Sequence, residues 1–291
     1  MQSIVAQFLS GLMQAMFLFL LAVGLSLIFG VSRIINISHG AFFTLGAYLL
    51  LTVSADGALS IPAFFGLVIF GGVAIGALGA IFEMLILRRA YRGGMLFVAL
   101  VTFGSLLVVE EVVRIIWGAD MKATARPRGF SGAITAGGVD FPIYSLVIIA
   151  VGLLMALTVW LVVEKTRFGL LIRAASIDRQ MLAVLGVNVQ RVFTLTYAAG
   201  TCLAGIAGIV AAPLVSILPT MGSSIIIEAF AVVVIGGLGS LPGSLLGAII
   251  VGQCQAFGIL LAPQSTLFVL YLLMTVILIV RPQGLLGSRT D

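Results

Sequence analysis

The chain has 291 residues, of which 62% are hydrophobic and only 9% charged, with a net charge of +5. A soluble domain carries roughly a quarter charged residues because it must present a wetted surface, so a soluble enzyme is excluded. The apolar runs approach the roughly 20 residues that a spanning helix needs. They show little period-2 alternation, which argues against a membrane β-barrel. Helices remain, because lipid cannot satisfy an open backbone.

In chain order, spans are expected at about 8–31, 37–55, 61–87, 95–117, 142–163, 193–213, 226–236, 244–261 and 265–281. This predicts an all-α, polytopic transmembrane bundle in one domain, 1–291. The first run lacks a basic start and reads as a retained span, not a signal peptide. The seventh is too short to cross alone. It runs into Gly236, Gly237, Gly239, Pro242 and Gly243, which continuous helix disfavours. A half-helix, a break near 236–243 and a further helix are expected, so the count is eight or nine spans. Cys202 and Cys254 lie inside apolar runs as small core residues. Gly200, Ala204, Gly208 and Ala212, and likewise Gly239, Gly243 and Gly247, recur every four residues. Such ridges let helices approach closely in lipid, either within one chain or at a dimer face.

Orientation follows from the basic residues. With nine crossings, Arg33, Arg88, Arg89, Arg92, Lys165, Arg167, Arg173, Arg179, Arg191, Arg281 and Arg289 fall on one side; Lys122, Arg126 and Arg128 fall on the other, and Arg114 at a helix end. That asymmetry puts 88–94, 164–192 and the C-terminus in the cytoplasm and the N-terminus outside. Topology thus accounts for the positive charge, and nucleic acid is not needed as a partner.

The long loop 164–192 carries helix punctuation. Ser176 can cap, Asp178 sits in the first turn and Gly186 can terminate. Met181, Leu182, Val184 and Leu185 supply apolar contacts, while Arg173, Asp178 and Arg179 stay polar. A short helix of this kind either docks into a cleft on a cytosolic protein or rests on lipid headgroups. Asn36, Ser38 and His39 interrupt apolar sequence beside Arg33; polar groups at that depth must pair or line a cavity. Glu228 is the acid expected within lipid depth, either as a first-turn residue favoured by the helix dipole or as a pathway group. Glu110 and Arg114, four apart, are expected to pair. No G-x-x-x-x-G-K-[ST] is present, so no Walker loop for ATP is expected. His39 is the one histidine, which argues against His-cluster metal sites.

The loop resembles the coupling loop of ABC-importer permeases at Thr166, Phe168, Gly169, Arg173, Ala174, Ala183, Gly186, Val187 and Asn188. Asn36-Ile-Ser-His-Gly-Ala-Phe-Phe-Thr-Leu-Gly-Ala-Tyr48 and the glycine-rich Glu228–Gly247 segment resemble the branched-chain amino acid branch of that superfamily, which also includes ribose-type sugar permeases. The three segments lie in order, and the similarity covers essentially the whole chain. Ala41 departs from the pattern, where relatives often carry an acidic residue.

The resemblance implies a non-enzymatic permease subunit in a bacterial inner membrane. It implies a second homologous permease subunit, two cytosolic ATPase subunits that use ATP and Mg, and a periplasmic substrate-binding protein docking on 118–141 and 214–225. No cofactor is expected on this chain itself. Arg173, Ala174, Ser176, Asp178, Arg179, Leu182, Leu185 and Gly186 become the candidate ATPase-coupling residues. Asn36, Ser38, His39, Glu228, Gly236 and Gly237 become the candidates for the translocation path. Branched-chain or other small amino acids are the expected cargo, with urea, short amides, aromatic acids or sugars as alternatives. An ATP-independent channel or carrier for a small neutral solute is the reading from a different class.

Overall fold

The computed structural model describes residues 2–55, 57–136, 139–261, 264 and 266–287. Arg289 and Ser265, the latter the first residue of the ninth expected span, lie outside the described residues. The helices are α1 (Gln2–Ser32), α2 (His39–Val53), α3 (Ile61–Phe82), α4 (Arg88–Ala90), α5 (Gly94–Trp117), α6 (Ile143–Lys165), α7 (Arg167–Ile177), α8 (Arg179–Val184), α9 (Val189–Ala211), α10 (Met221–Gly236), α11 (Leu241–Leu261) and α12 (Thr266–Val280). A π-helical turn, Glu83–Leu87, and a 3-10 turn, Tyr91–Gly93, join α3 to α4 and α4 to α5.

The all-α expectation holds for the bundle: the protein is a multi-pass helical membrane protein. It missed one small feature, an antiparallel hairpin of β1 (Ala133–Ala136) and β2 (Val139–Pro142). Among the described residues, five candidate spans are long and apolar enough to cross a bilayer, one of them the continuous stretch Ile61–Trp117. His39–Val53, Met221–Gly236 and Leu267–Val280 are shorter apolar helices.

α1 is the axis of the bundle. Its Phe17–Ile28 stretch is buried throughout, with α6, α9, α10 and α11 packed around it. α9 is the second central helix and touches α1, α2 and α3. Without a hydrophobic drive between helices in lipid, such contacts depend on close backbone approach. A Cβ placed on Gly200 would lie 2.8 Å from the Gly24 carbonyl oxygen, and one on Gly208 would lie 2.0 Å from that of Phe43. Gly243 and Gly247 press on α10 in the same way. Both small-residue ridges thus serve packing within the chain: Gly200, Ala204, Gly208, Gly243 and Gly247 are buried.

The two ends of the bundle differ in charge. Arg33 reaches Ser176, Arg88 reaches Thr194, and the segment after Arg281 caps the end of α10, so these groups share one end. Lys122 pairs with Ile217 and Arg128 with Leu59 at the other.

The break falls at residues 237–240, inside the expected 236–243, while the helix starts on either side differ from expectation. α10 begins at Met221, five residues before the expected 226, and α11 begins at Leu241. Gly237 has φ +109°, a conformation that a side chain resists, and a Cβ there would meet the Gly287 backbone at 2.4 Å. The freed carbonyls of Ile235 and Gly236 accept from Leu285 and Leu286 N–H at 2.9 Å each. The C-terminal segment therefore takes up hydrogen bonds that the helix end leaves open.

Candidate functional site

The loop region folds as two short helices at the basic end. Thr166 caps α7, its hydroxyl accepting from Gly169 N–H. Ser176 is not the cap of the next helix. It lies in the last turn of α7 and donates to the Arg173 carbonyl at 2.7 Å. Asp178, extended and between the two helices, is the cap of α8 and accepts from Gln180 and Met181 N–H at 2.9 and 3.0 Å. A carboxylate accepts two such bonds with ease, and the helix start favours its charge. Gly186, at φ +81°, ends the turn after Leu185, and Val187 N–H returns to the Leu182 carbonyl. Asn188 caps α9 through Arg191 N–H.

Two faces result. Leu182 is buried with Val31, Ile172, Ala175 and Val192, which fixes the segment to α1, α7 and α9, and Ala174 packs against that cluster. The opposite face leaves Ile177 83%, Val184 82% and Leu185 71% exposed, beside an exposed Met181. Arg173 holds the segment to α6, with Nη1 donating to the Val163 carbonyl and to Glu164, both at 2.7 Å. Arg179 stacks over the Phe193 ring at 5.0 Å. Burial, and then the neighbouring Arg33, draws its guanidinium below the ordinary value, although arginine remains charged.

The expected path residues separate into four places. Asn36 and Ser38 belong to a buried polar knot: Asn36 Nδ2 donates to Tyr197 Oη at 3.0 Å, and Ser38 Oγ donates to Asn36 Oδ1 at 2.7 Å. Phe42 and Phe82 pack on the Tyr197 ring, each with centroids 6.1 Å away. This knot satisfies its own polar groups. Tyr197→Phe should strand the Asn36 amide and cost about 1–3 kcal/mol, read as a lower melting temperature in detergent; an unchanged melt would remove the structural role of the knot.

His39 is fully buried at the start of α2, with Nε2 3.1 Å from the Leu21 carbonyl oxygen. A carbonyl only accepts, so Nε2 carries the proton, and Nδ1 has no partner among the described residues. Glu228 is not in a first turn; it is the eighth residue of α10 and half-buried. It lies beside Gln255 of α11, which accepts from Gln14 of α1. Gly236 and Gly237 lie at the basic end, where the break faces the end of α1 across a cavity of about 420 Å³ that Gly30, Arg33, Ser176 and Gly239 help to line.

Glu110 does not pair with Arg114. It faces inward and accepts from Ser223 N–H at 3.2 Å and from the Ser223 hydroxyl, while Arg114 takes Glu111 at 2.7 Å on the outside. Buried Glu83 accepts from Thr194 at 2.6 Å and from Arg88 at 3.4 Å. Tyr197 and Thr194 escaped sequence reading. The signal was present, because Thr194, Tyr197 and Thr201 form a polar stripe at helical spacing on a helix that, past Arg191, is otherwise apolar except for Thr196.

Residues 7–279 match the family model described as "Branched-chain amino acid transport system / permease component". The high-affinity branched-chain amino acid transport system permease protein BraD of Pseudomonas aeruginosa is 28% identical over 92% of this chain and 91% of its own length. LivH of Escherichia coli, with the same description, is 28% identical over 92% and 90%. A shorter stretch, 33% of this chain, is 34% identical to the ribose import permease protein RbsC of Escherichia coli. No solved structure matches. With the family model spanning nearly the whole helical bundle, this chain belongs to the family of branched-chain amino acid transport system permease components, transport proteins and not enzymes.

Proposed function

We propose that this permease moves a branched-chain or other small amino acid inward across a bacterial inner membrane, driven by ATP that it does not itself bind. Two cytosolic ATPase subunits, using ATP and Mg, grip α7–α8. A second homologous permease subunit completes the path, and a periplasmic binding protein delivers cargo to the opposite end. The observation that carries this reading is the apolar face of Ile177, Met181, Val184 and Leu185, exposed at the basic end. Exposed apolar clusters rimmed by charge mark interaction surfaces. Arg173, Asp178 and Arg179 hold that face in place without covering it.

The nine apolar helices among the described residues, α1, α2, α3, α5, α6, α9, α10, α11 and α12, are read as successive crossings that alternate in direction. This favours nine crossings, an outer N-terminus and a cytoplasmic C-terminus under the positive-inside rule. A cysteine replacing Val184, 82% exposed, should then react with an impermeant reagent only from the cytoplasmic side. Labelling in intact cells from outside would invert the topology and remove the ATPase grip. Uptake in vesicles should likewise require ATP and the ATPase subunits; undiminished uptake without them would favour a channel or carrier.

The candidate path residues divide in this reading. Asn36, Ser38 and His39 brace α2 from inside the bundle. Glu228, Gly236 and Gly237 lie along α10, the helix proposed to border the route. The partial match to a ribose permease favours sugar as the second cargo reading, and calorimetry on the cognate binding protein distinguishes the two.

A further inference from the structure

α6 and α11 both lie along α1 but scarcely touch each other. Between them runs a cleft of about 620 Å³. Its deep part is apolar, with Phe19 and Val23 of α1, Ala156 and Val159 of α6 and Leu245 of α11 along it. Its polar groups gather at the basic end: Glu164, Arg173 and Ser240. Trp160 closes one side, and Lys165 sits 5.7 Å over the Trp160 ring. From Ala156 to Glu164 the cleft follows about 12 Å of helix at 1.5 Å per residue, close to the roughly 15 Å of one hydrocarbon leaflet.

We propose that this cleft is a binding site for an anionic phospholipid, with one acyl chain between α6 and α11 and the phosphate at Arg173 and Lys165. A gap facing the hydrocarbon does not stay empty, because its walls would forfeit their dispersion contacts. The mouth selects the headgroup. Among the described residues Arg173 spends only Nη1, on Glu164 and the Val163 carbonyl, which leaves the rest of its planar fork to meet phosphate oxygens. Lys165 makes the mouth net positive despite Glu164. Basic pockets between helices at the inner membrane face suit anionic headgroups, and a tryptophan at that level marks the interface. The bound lipid would touch both Arg173, which holds α7 to α6, and Ser240 in the break before α11.

The chain has two tryptophans, so Trp117→Phe leaves Trp160 as its own fluorescent reporter. In vesicles of phosphatidylcholine, the full chain with this change should be quenched by brominated phosphatidylglycerol at lower mole fractions than by brominated phosphatidylcholine, by about fivefold for each basic residue engaged. Lys165→Gln with Arg173→Gln should remove the preference, and Ala156→Phe, which fills the apolar half, should weaken quenching by both lipids. Equal quenching by the two lipids without these changes means ordinary lipid contact and overturns the proposal. A photoreactive residue at Leu157, on the cleft wall, gives an independent reading in the assembled transporter in native membranes. A phospholipid adduct is expected, whereas an adduct to another polypeptide makes the cleft a subunit seat and overturns the proposal. Vesicles carry the lipid in both leaflets, so the quenching result stands apart from the orientation of the chain.

Discussion

Met181→Asp combined with Leu185→Asp is expected to reduce ATP-driven uptake by about 30-fold or more while leaving insertion and folding intact. Both side chains are mainly exposed, at 57% and 71%, so neither contributes to the packing that holds α8 in place. That packing belongs to Leu182, which is 5% exposed and faces Val31, Ile172 and Val192. An apolar anchor in a protein interface contributes about 2 kcal/mol or more when it is central, which is roughly 30-fold in affinity. A carboxylate forced into the same pocket adds a desolvation cost. The measurement is uptake in vesicles, with co-purification of the ATPase subunits as a second readout. Normal uptake with normal co-purification would mean that the face rests on lipid headgroups. Leu182→Asp is the contrasting change, since it should loosen the segment itself and lower the melting temperature.

Gly208→Ala is expected to be among the most damaging methyl additions in the bundle. The new Cβ would lie 2.0 Å from the Phe43 carbonyl oxygen, a backbone atom that cannot rotate aside, where ordinary contact begins near 3.4 Å. α2 and α9 would have to part. The same seam carries Gly46, whose Cβ would lie 2.2 Å from the Gly205 carbonyl oxygen, so separation at one point forfeits contact along both helices. Overpacking of this kind costs about 1–3 kcal/mol and sometimes more, and here the upper end is expected because the clash is backbone against backbone. Thermal melting in detergent checks it. Gly66→Ala is the control, as a Cβ there meets nothing within 4 Å. Equal stability of the two variants would mean that the helices can shift apart freely, and that close approach is not what joins α2 to α9.

Much of the architecture was legible because lipid imposes one rule throughout. Backbone groups must be satisfied within each segment, so apolar length alone located α1, α2, α3, α5, α6, α9, α10, α11 and α12, while the short α4, α7 and α8 carry no such signal. Gly237 and its neighbours announced a break because continuous helix disfavours such a run. Boundaries were less legible. α10 extends back to Met221, and nothing in the polar Thr220–Ser224 stretch signals membrane depth. The cap before α8 is expected at Ser176, two residues early, because hydroxyl and carboxylate caps look alike in sequence. Only the chain direction at Asp178, where φ is −145°, makes that carboxylate the cap.

The sequence by itself determined a helical membrane protein, its distribution of positive charge and a punctuated, half-apolar segment at 176–186, because composition, charge placement and capping chemistry are local properties. Only the tertiary structure decided which polar groups pair: Asn36 and Ser38 with Tyr197, Glu83 with Thr194, and Glu110 with Ser223 instead of Arg114. Each of those partners lies on a helix distant in sequence. A buried polar group takes whichever partner the packing brings within hydrogen-bond reach, and spacing along one helix does not contain that information.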